Sequence, residues 1–182
     1  RSSSTELGLV ALTIEGGLIA PEQVQKVIAA DRTPKTADSY ACPKGTSLGD
    51  EIARFFRIGQ AIWRDYDQAD AKTIARTAAF ARDLLTQCLG FTDLQGPVEH
   101  QEGTRRYRIA WEAKGGRVPV VVAAPDKDVD AFGKALPEFG DGSVGSRSKR
   151  SPAVLLQDWL NANPEFYWGL VFAGDRVRLM RD

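Results

Sequence analysis

Apolar residues in the first half of the chain recur at three- and four-residue steps, which is the period of an amphipathic helix. Ser47 with Asp50 three residues later is a helix-start signal, and Pro21 is favourable at a first helical position. Gly90 is well suited to ending a helix. We therefore predict three helices, over residues 21–31, 47–62 and 70–89.

The pattern changes to that of β-strands after residue 90. Arg106–Trp111 alternates polar and apolar residues, which predicts a half-exposed strand. Val118–Ala124 is a continuous, valine-rich apolar run, which is typical of a central strand buried on both faces. After a polar linker we predict a helix over residues 152–160 and a hairpin of strands 168–172 and 176–180.

The order of these elements predicts an α/β or α+β fold. A helical N-terminal extension over residues 1–90 precedes a small mixed sheet flanked by helices over residues 91–182. The hydrophobic fraction of 43% is sufficient for a packed core. Because the chain begins with Arg1 and stops within a predicted strand, we expect it to be one compact unit cut from a longer protein.

The charge balance narrows the classes of function. Lysine and arginine number 24, and so do aspartate and glutamate, which argues against a free-standing nucleic-acid binder but allows a local basic patch. Cys42 and Cys88 lack the spacing of a zinc site or a disulfide framework. No apolar run reaches the ~18 residues of a membrane span, and no signal peptide is visible, so we expect a cytoplasmic protein without a membrane partner.

Two short motifs suggest chemistry. Glu112-Ala113-Lys114 has the spelling of the ExK half of a PD-(D/E)XK nuclease, and Asp93 upstream is a candidate second ligand for Mg²⁺. The alternative interpretation is a strand end that runs into a solvated turn. Gly140–Gly145 has the spelling of a dinucleotide-binding loop but is interpreted as a linker, and His100 as a solvated loop residue.

Basic residues cluster in two places, either of which could contact phosphates or form a solvated surface. The candidate DNA-binding residues are Arg105, Arg106, Arg108, Arg147, Lys149 and Arg150.

The C-terminal third carries a recognisable pattern. Ser151–Asn161 reads SPAVLLQDWLN, and Phe166–Asp182 reads FYWGLVFAGDRVRLMRD. This segment resembles the N-terminal region of large type IIG restriction–modification methylases and of the related methyltransferase of DISARM phage-defence systems. The matching residues are Gln157, Leu160, Asn161, Trp168, Gly169, Gly174, Arg178, Leu179, Arg181 and Asp182.

The resemblance implies a restriction-endonuclease-like fold of the PD-(D/E)XK type. In such a fold the third core strand carries the ExK, and a glutamine on the next helix, here Gln157, completes the site. If the valine-rich run is that strand, the ExK positions fall on Ala123-Ala124-Pro125, which cannot bind a metal. The resemblance therefore indicates a degenerate nuclease domain without a metal.

The expected function is a non-catalytic DNA-interaction or scaffold domain of an adenine-specific DNA methyltransferase. Its partners would be DNA, the rest of the methyltransferase and other subunits of the defence system. No cofactor is expected in this segment, and S-adenosylmethionine would bind the remainder. The alternatives are an active Mg²⁺-dependent endonuclease that uses Asp93, Glu112 and Lys114, and a protein–protein adaptor without a nucleic-acid role.

Overall fold

A computed structural model describes residues 20, 22–23, 40–115, 117–123, 125 and 151–181. The chain divides into two compact units, Arg1–Ile52 and Ala53–Asp182. The boundary falls within a helix, and the second unit holds most of the described elements.

The elements with described bounds are three α-helices, one π-helical turn and six strands. Of the predicted helix over residues 21–31, Glu22 and Gln23 are helical and the other residues lie outside the described part of the chain. The helices are α1 (Leu48–Asp67), α2 (Ile74–Asp83), which continues as a π-helical turn (Leu84–Cys88), and α3 (Pro152–Ala162). The strands are β1 (Val98–Glu102), β2 (Arg105–Ile109), β3 (Trp111–Ala113), β4 (Val118–Ala123), β5 (Trp168–Ala173) and β6 (Arg176–Arg181). In the described part of the chain, no helix has the length and apolar character needed to cross a membrane.

Side-chain caps set the helix starts. The Asp50 amide donates to Ser47 Oγ at 3.1 Å, and the Ser47 amide donates to the Asp50 carboxylate at 3.3 Å, which is the predicted reciprocal cap. Helix α2 begins at Ile74, four residues later than predicted, because Thr73 accepts a hydrogen bond from the Arg76 amide at 3.2 Å and caps the helix there.

The main sheet has four strands in the order β3-β4-β5-β6. Strands β4 and β5 are parallel, and the connection between them includes α3, whereas β3 and β6 pair antiparallel with their neighbours. Strands β1 and β2 form a separate two-stranded antiparallel ribbon. The predicted class, a small mixed sheet with helices, is therefore confirmed. Strand β1 was not predicted, because its residues Val98–Glu102 are mostly polar.

Helices cover both faces of the sheet within the second unit. Val120 and Val122 of β4 pack in one core cluster with residues of α1 and α2, and Val121 and Ala123 pack in the other with residues of α3. This alternation follows from the two-residue period of a strand. It confirms that the valine-rich run is an inner strand, buried on both faces.

Candidate functional site

The inner strand β4 lacks metal ligands where the resemblance would place them. Ala123 is buried and lies opposite Ala173 of β5, and Val121 lies opposite Val171. Pro125 contacts the turn between β5 and β6, where its Cβ lies near Gly174. The acid and amine positions of the predicted ExK are therefore taken by Ala123 and Pro125, whose side chains cannot hold a cation or move a proton.

Glu112, the acid of the literal ExK triplet, lies on β3 with its side chain only 11% exposed. Its Oε1 atom accepts a hydrogen bond from Nε2 of His100 on β1. A carboxylate oxygen accepts, so Nε2 is the ring nitrogen that donates in this pair. The interaction joins the β1–β2 ribbon to the main sheet.

The interpretation of His100 as a solvated loop residue is wrong. His100 lies in β1 directly opposite Tyr107 of β2, and its side chain is 32% exposed. Directly opposite residues of an antiparallel pair project to the same face. On this face the imidazole of His100 lies beside Trp159 of α3, with 4.4 Å between the two ring centroids.

We call His100, Tyr107, Glu112 and Trp159 the His100 cluster. The Tyr107 and Trp159 ring centroids are 5.2 Å apart, and both side chains are almost fully buried. Tyr107 Oη and Trp159 Nε1 have no hydrogen-bond partner among the described residues. Chemically, the cluster is an imidazole oriented by a carboxylate and packed against aromatic rings.

Asp93 and Lys114 serve a turn rather than the His100 cluster. The Asp93 carboxylate accepts a hydrogen bond from the Gly115 amide at 3.0 Å. Hydrogen bonding from the Lys114 backbone, followed by that from Gly115, lowers the pKa of Asp93. Lys114 has a positive φ of 56°, and its Nζ lies 5.6 Å from the centroid of the Phe91 ring.

The structure thus gives the three residues of the nuclease alternative different partners. Asp93 is held by turn amides, Glu112 by His100, and Lys114 lies over an aromatic ring. Among the residues that the structure describes, no group of three His, Cys, Asp or Glu side chains is arranged to hold a metal. The contacts of Asp93, Glu112 and Lys114 therefore give no support to a Mg²⁺ site shared by the three residues.

The candidate DNA-binding residues fall into two groups. Arg106 and Arg108 lie on the ribbon and flank Glu99, at 3.7 and 2.9 Å from its carboxylate oxygens. Arg105 is the first residue of β2. The remaining candidates, Arg147, Lys149 and Arg150, lie outside the described residues, as does the glycine-rich segment 140–145.

The residues of the family pattern have structural roles on α3, β5 and the turn. Gln157 donates to Asn161 one helical turn later, at 2.8 Å. Gly169 allows α3 to approach β5, because a Cβ there would lie 2.7 Å from Leu156 Cδ1. Two further positions of the pattern are Gly174, with a φ of 63° in the β5–β6 turn, and Trp168, whose ring centroid lies 5.5 Å from the Arg181 guanidinium.

Sequence reasoning missed the contact between His100 and Glu112. The signal was weak but present, since a hairpin turn at Gly103-Thr104 would place His100 opposite Tyr107. No protein-family model, curated protein or solved structure matches the chain, so the site is interpreted from its own geometry.

Proposed function

We propose that this chain is a non-catalytic DNA-interaction or scaffold domain of a DNA methyltransferase of restriction–modification or phage defence. One observation carries the proposal. The inner strand β4 ends in the buried Ala123, and Pro125 follows the strand, at the two positions where a nuclease of the resembled family needs an acid and an amine.

The order of elements supports a restriction-endonuclease-like sheet as the scaffold. An antiparallel strand precedes β4, and α3, which carries Gln157, precedes a strand parallel to β4. This is the strand–helix–strand order that the resemblance implies around the glutamine. In an active nuclease of the resembled family, the glutamine at this position would complete the metal site. Here Gln157 hydrogen-bonds to Asn161 in the same helix, which is a structural role.

Of the candidate phosphate contacts, those on the ribbon lie within the described residues. Arg106 and Arg108 are on the polar face of β2, opposite the buried Tyr107. Their shared partner Glu99 offsets part of this positive charge, and exposed ion pairs of this kind contribute little stability. DNA binding by this surface should therefore be weak, independent of sequence and strongly salt-dependent.

A cleavage assay separates this proposal from the nuclease alternative. The full chain is incubated with supercoiled plasmid DNA and Mg²⁺ or Mn²⁺, next to the Glu112→Ala variant. We expect no nicking by either protein. Metal-dependent nicking that the substitution abolishes would contradict the proposal and favour an active endonuclease.

A binding assay tests the proposed interaction with DNA. Fluorescence anisotropy with a labelled duplex is measured over a range of salt concentrations for the wild type and for the Arg106→Ala/Arg108→Ala variant. Because each lost phosphate contact lowers the slope of log K against log salt by about 0.9, the slope should become shallower by about 2. Arg82→Ala is the matched control, since Arg82 also pairs with an acid, Asp83, at 2.9 Å.

The proposed scaffold role leads to a different prediction. If the wild type does not bind the duplex even at low salt, DNA interaction is excluded for this chain. Tight association with the separately produced remainder of the methyltransferase, where S-adenosylmethionine is expected to bind, would then support the scaffold role. Failure of both assays would refute the proposal.

A further inference from the structure

Strand β6 is the outer strand of the main sheet. Among the described residues, its six residues Arg176–Arg181 pair with β5 alone. In an antiparallel pair, alternate residues direct their backbone N–H and C=O groups away from the partner strand. An edge of this kind is a template on which another strand can form hydrogen bonds.

The side chains of β6 give this edge a definite chemistry. Arg176 and Arg181 at its two ends are basic and exposed, and no acidic residue occurs within the strand, although the whole chain has a formal net charge of zero. Val177 and Leu179 between them are 48% and 44% exposed. The edge therefore combines positive charge with accessible aliphatic surface.

The exposed aliphatic residues lie on one face of the sheet. Val177, Leu179 and Arg181 pair with Phe172, Leu170 and Trp168 of β5, and alternate residues of a strand share a face. Trp168 is itself 37% exposed, and the Arg181 guanidinium lies near its ring. A strand added to β6 would extend this apolar surface and cover part of it.

A second copy of the chain is a poor occupant of this edge. Antiparallel pairing of two β6 strands about their midpoint would place Arg176 opposite Arg181 twice. Like charges directly opposite each other destabilise a strand pair, whereas opposite charges stabilise it. Charge complementarity therefore favours an added strand with acidic residues that can lie near Arg176 and Arg181.

We propose that the β6 edge binds, by strand addition, an extended segment of a partner protein in which acidic residues alternate with aliphatic ones. Backbone hydrogen bonds would provide the affinity, and Arg176 and Arg181 with Val177 and Leu179 would provide the selectivity. This proposal is independent of the proposed DNA interaction, because it uses neither the ribbon nor β4.

The first test is a peptide titration of the full chain by fluorescence anisotropy. The probe is a labelled seven-residue peptide that alternates glutamate and valine. A peptide with the same composition in two blocks and a lysine–valine alternating peptide are controls. We expect saturable binding of the alternating acidic peptide and at least tenfold weaker binding of both controls.

Charge reversal tests the location of binding. Arg176→Glu should weaken binding by roughly three- to tenfold, as expected when an exposed ion pair is replaced by repulsion. Arg57→Glu, an equivalent change at an exposed position of α1, should leave it unchanged. Thermal unfolding followed by circular dichroism establishes that each variant is folded.

Amide hydrogen exchange distinguishes strand addition from general attraction of anions. Alternate amides of β6 should exchange more slowly when the acidic peptide is bound, because they become hydrogen-bonded. Three results would each overturn the proposal. They are the absence of saturable binding, equal binding of the blocked peptide or of single-stranded DNA, and binding without protection of β6 amides.

Discussion

Replacing Glu112 by alanine removes the carboxylate that accepts the hydrogen bond from His100 and leaves the imidazole beside Trp159 without that partner. A hydrogen bond to a charged group contributes about 1.5–3 kcal/mol to stability. The His100 side chain is about one-third exposed, so water can replace part of this interaction. We therefore expect Glu112→Ala to lower the free energy of unfolding by about 1–2 kcal/mol.

Urea denaturation followed by tryptophan fluorescence measures this change, and the midpoint of thermal unfolding should fall by about 2–8 °C for a domain of this size. A double-mutant cycle with His100→Ala isolates the pair, for which we expect a coupling energy of about 1 kcal/mol. Glu99→Ala is the matched control on the same ribbon, because Glu99 is more exposed and its loss should cost less than about 1 kcal/mol.

Whether Glu112→Ala lowers or raises the free energy of unfolding distinguishes a structural carboxylate from a catalytic one. Residues kept for catalysis are often held at the expense of stability, so their removal commonly leaves a protein equally or more stable. A Glu112→Ala protein as stable as the wild type, or additive behaviour with His100→Ala, would refute the structural role of the pair.

Three further predictions follow from the packing and the turns. Gly169→Ala should destabilise the protein by about 1–3 kcal/mol in urea denaturation, because its Cβ would overlap the buried Leu156, and Leu156→Val in the same chain should relieve part of the loss. The pKa of Asp93 is lowered, so its contribution to stability is present above the unfolded value of about 3.9 and is lost as the pH falls through the folded value. The stability difference between wild type and Asp93→Asn should therefore shrink between pH 5 and pH 2, and a constant difference would contradict this. Tyr107→Phe should be neutral or stabilising in thermal unfolding, because it deletes a buried hydroxyl without a described partner, and a large loss would indicate a polar group bound there.

Local patterns predicted much of the fold because they depend on near neighbours in the chain. The cap at Ser47 is formed with Asp50, three residues away, and the structure has it as predicted. The uninterrupted apolar run in β4 required a strand covered on both faces, since exposure of either face would leave aliphatic surface in water. The turn at Gly174 followed from the short spacing of two apolar strands.

The site was harder to predict, because its contacts join residues that are distant in the chain. Asp93, Glu112 and Lys114 were grouped by motif spelling, whereas the folded chain directs the Asp93 carboxylate to a turn and the Glu112 carboxylate to His100. Strand β1 has weak hydrophobic alternation, so its residues gave no sign that His100 is half-buried, and the turn at Gly103-Thr104 was the local signal for its pairing.

Local pattern in the chain thus specified the helix start at Ser47 and the inner position of β4. The parallel pairing of β4 with β5, the close approach of Leu156 to Gly169 and the packing of His100 on Trp159 came from the folded arrangement. The physical reason is that burial of apolar surface is non-directional: a repeating pattern states that a face must be covered but not which element covers it.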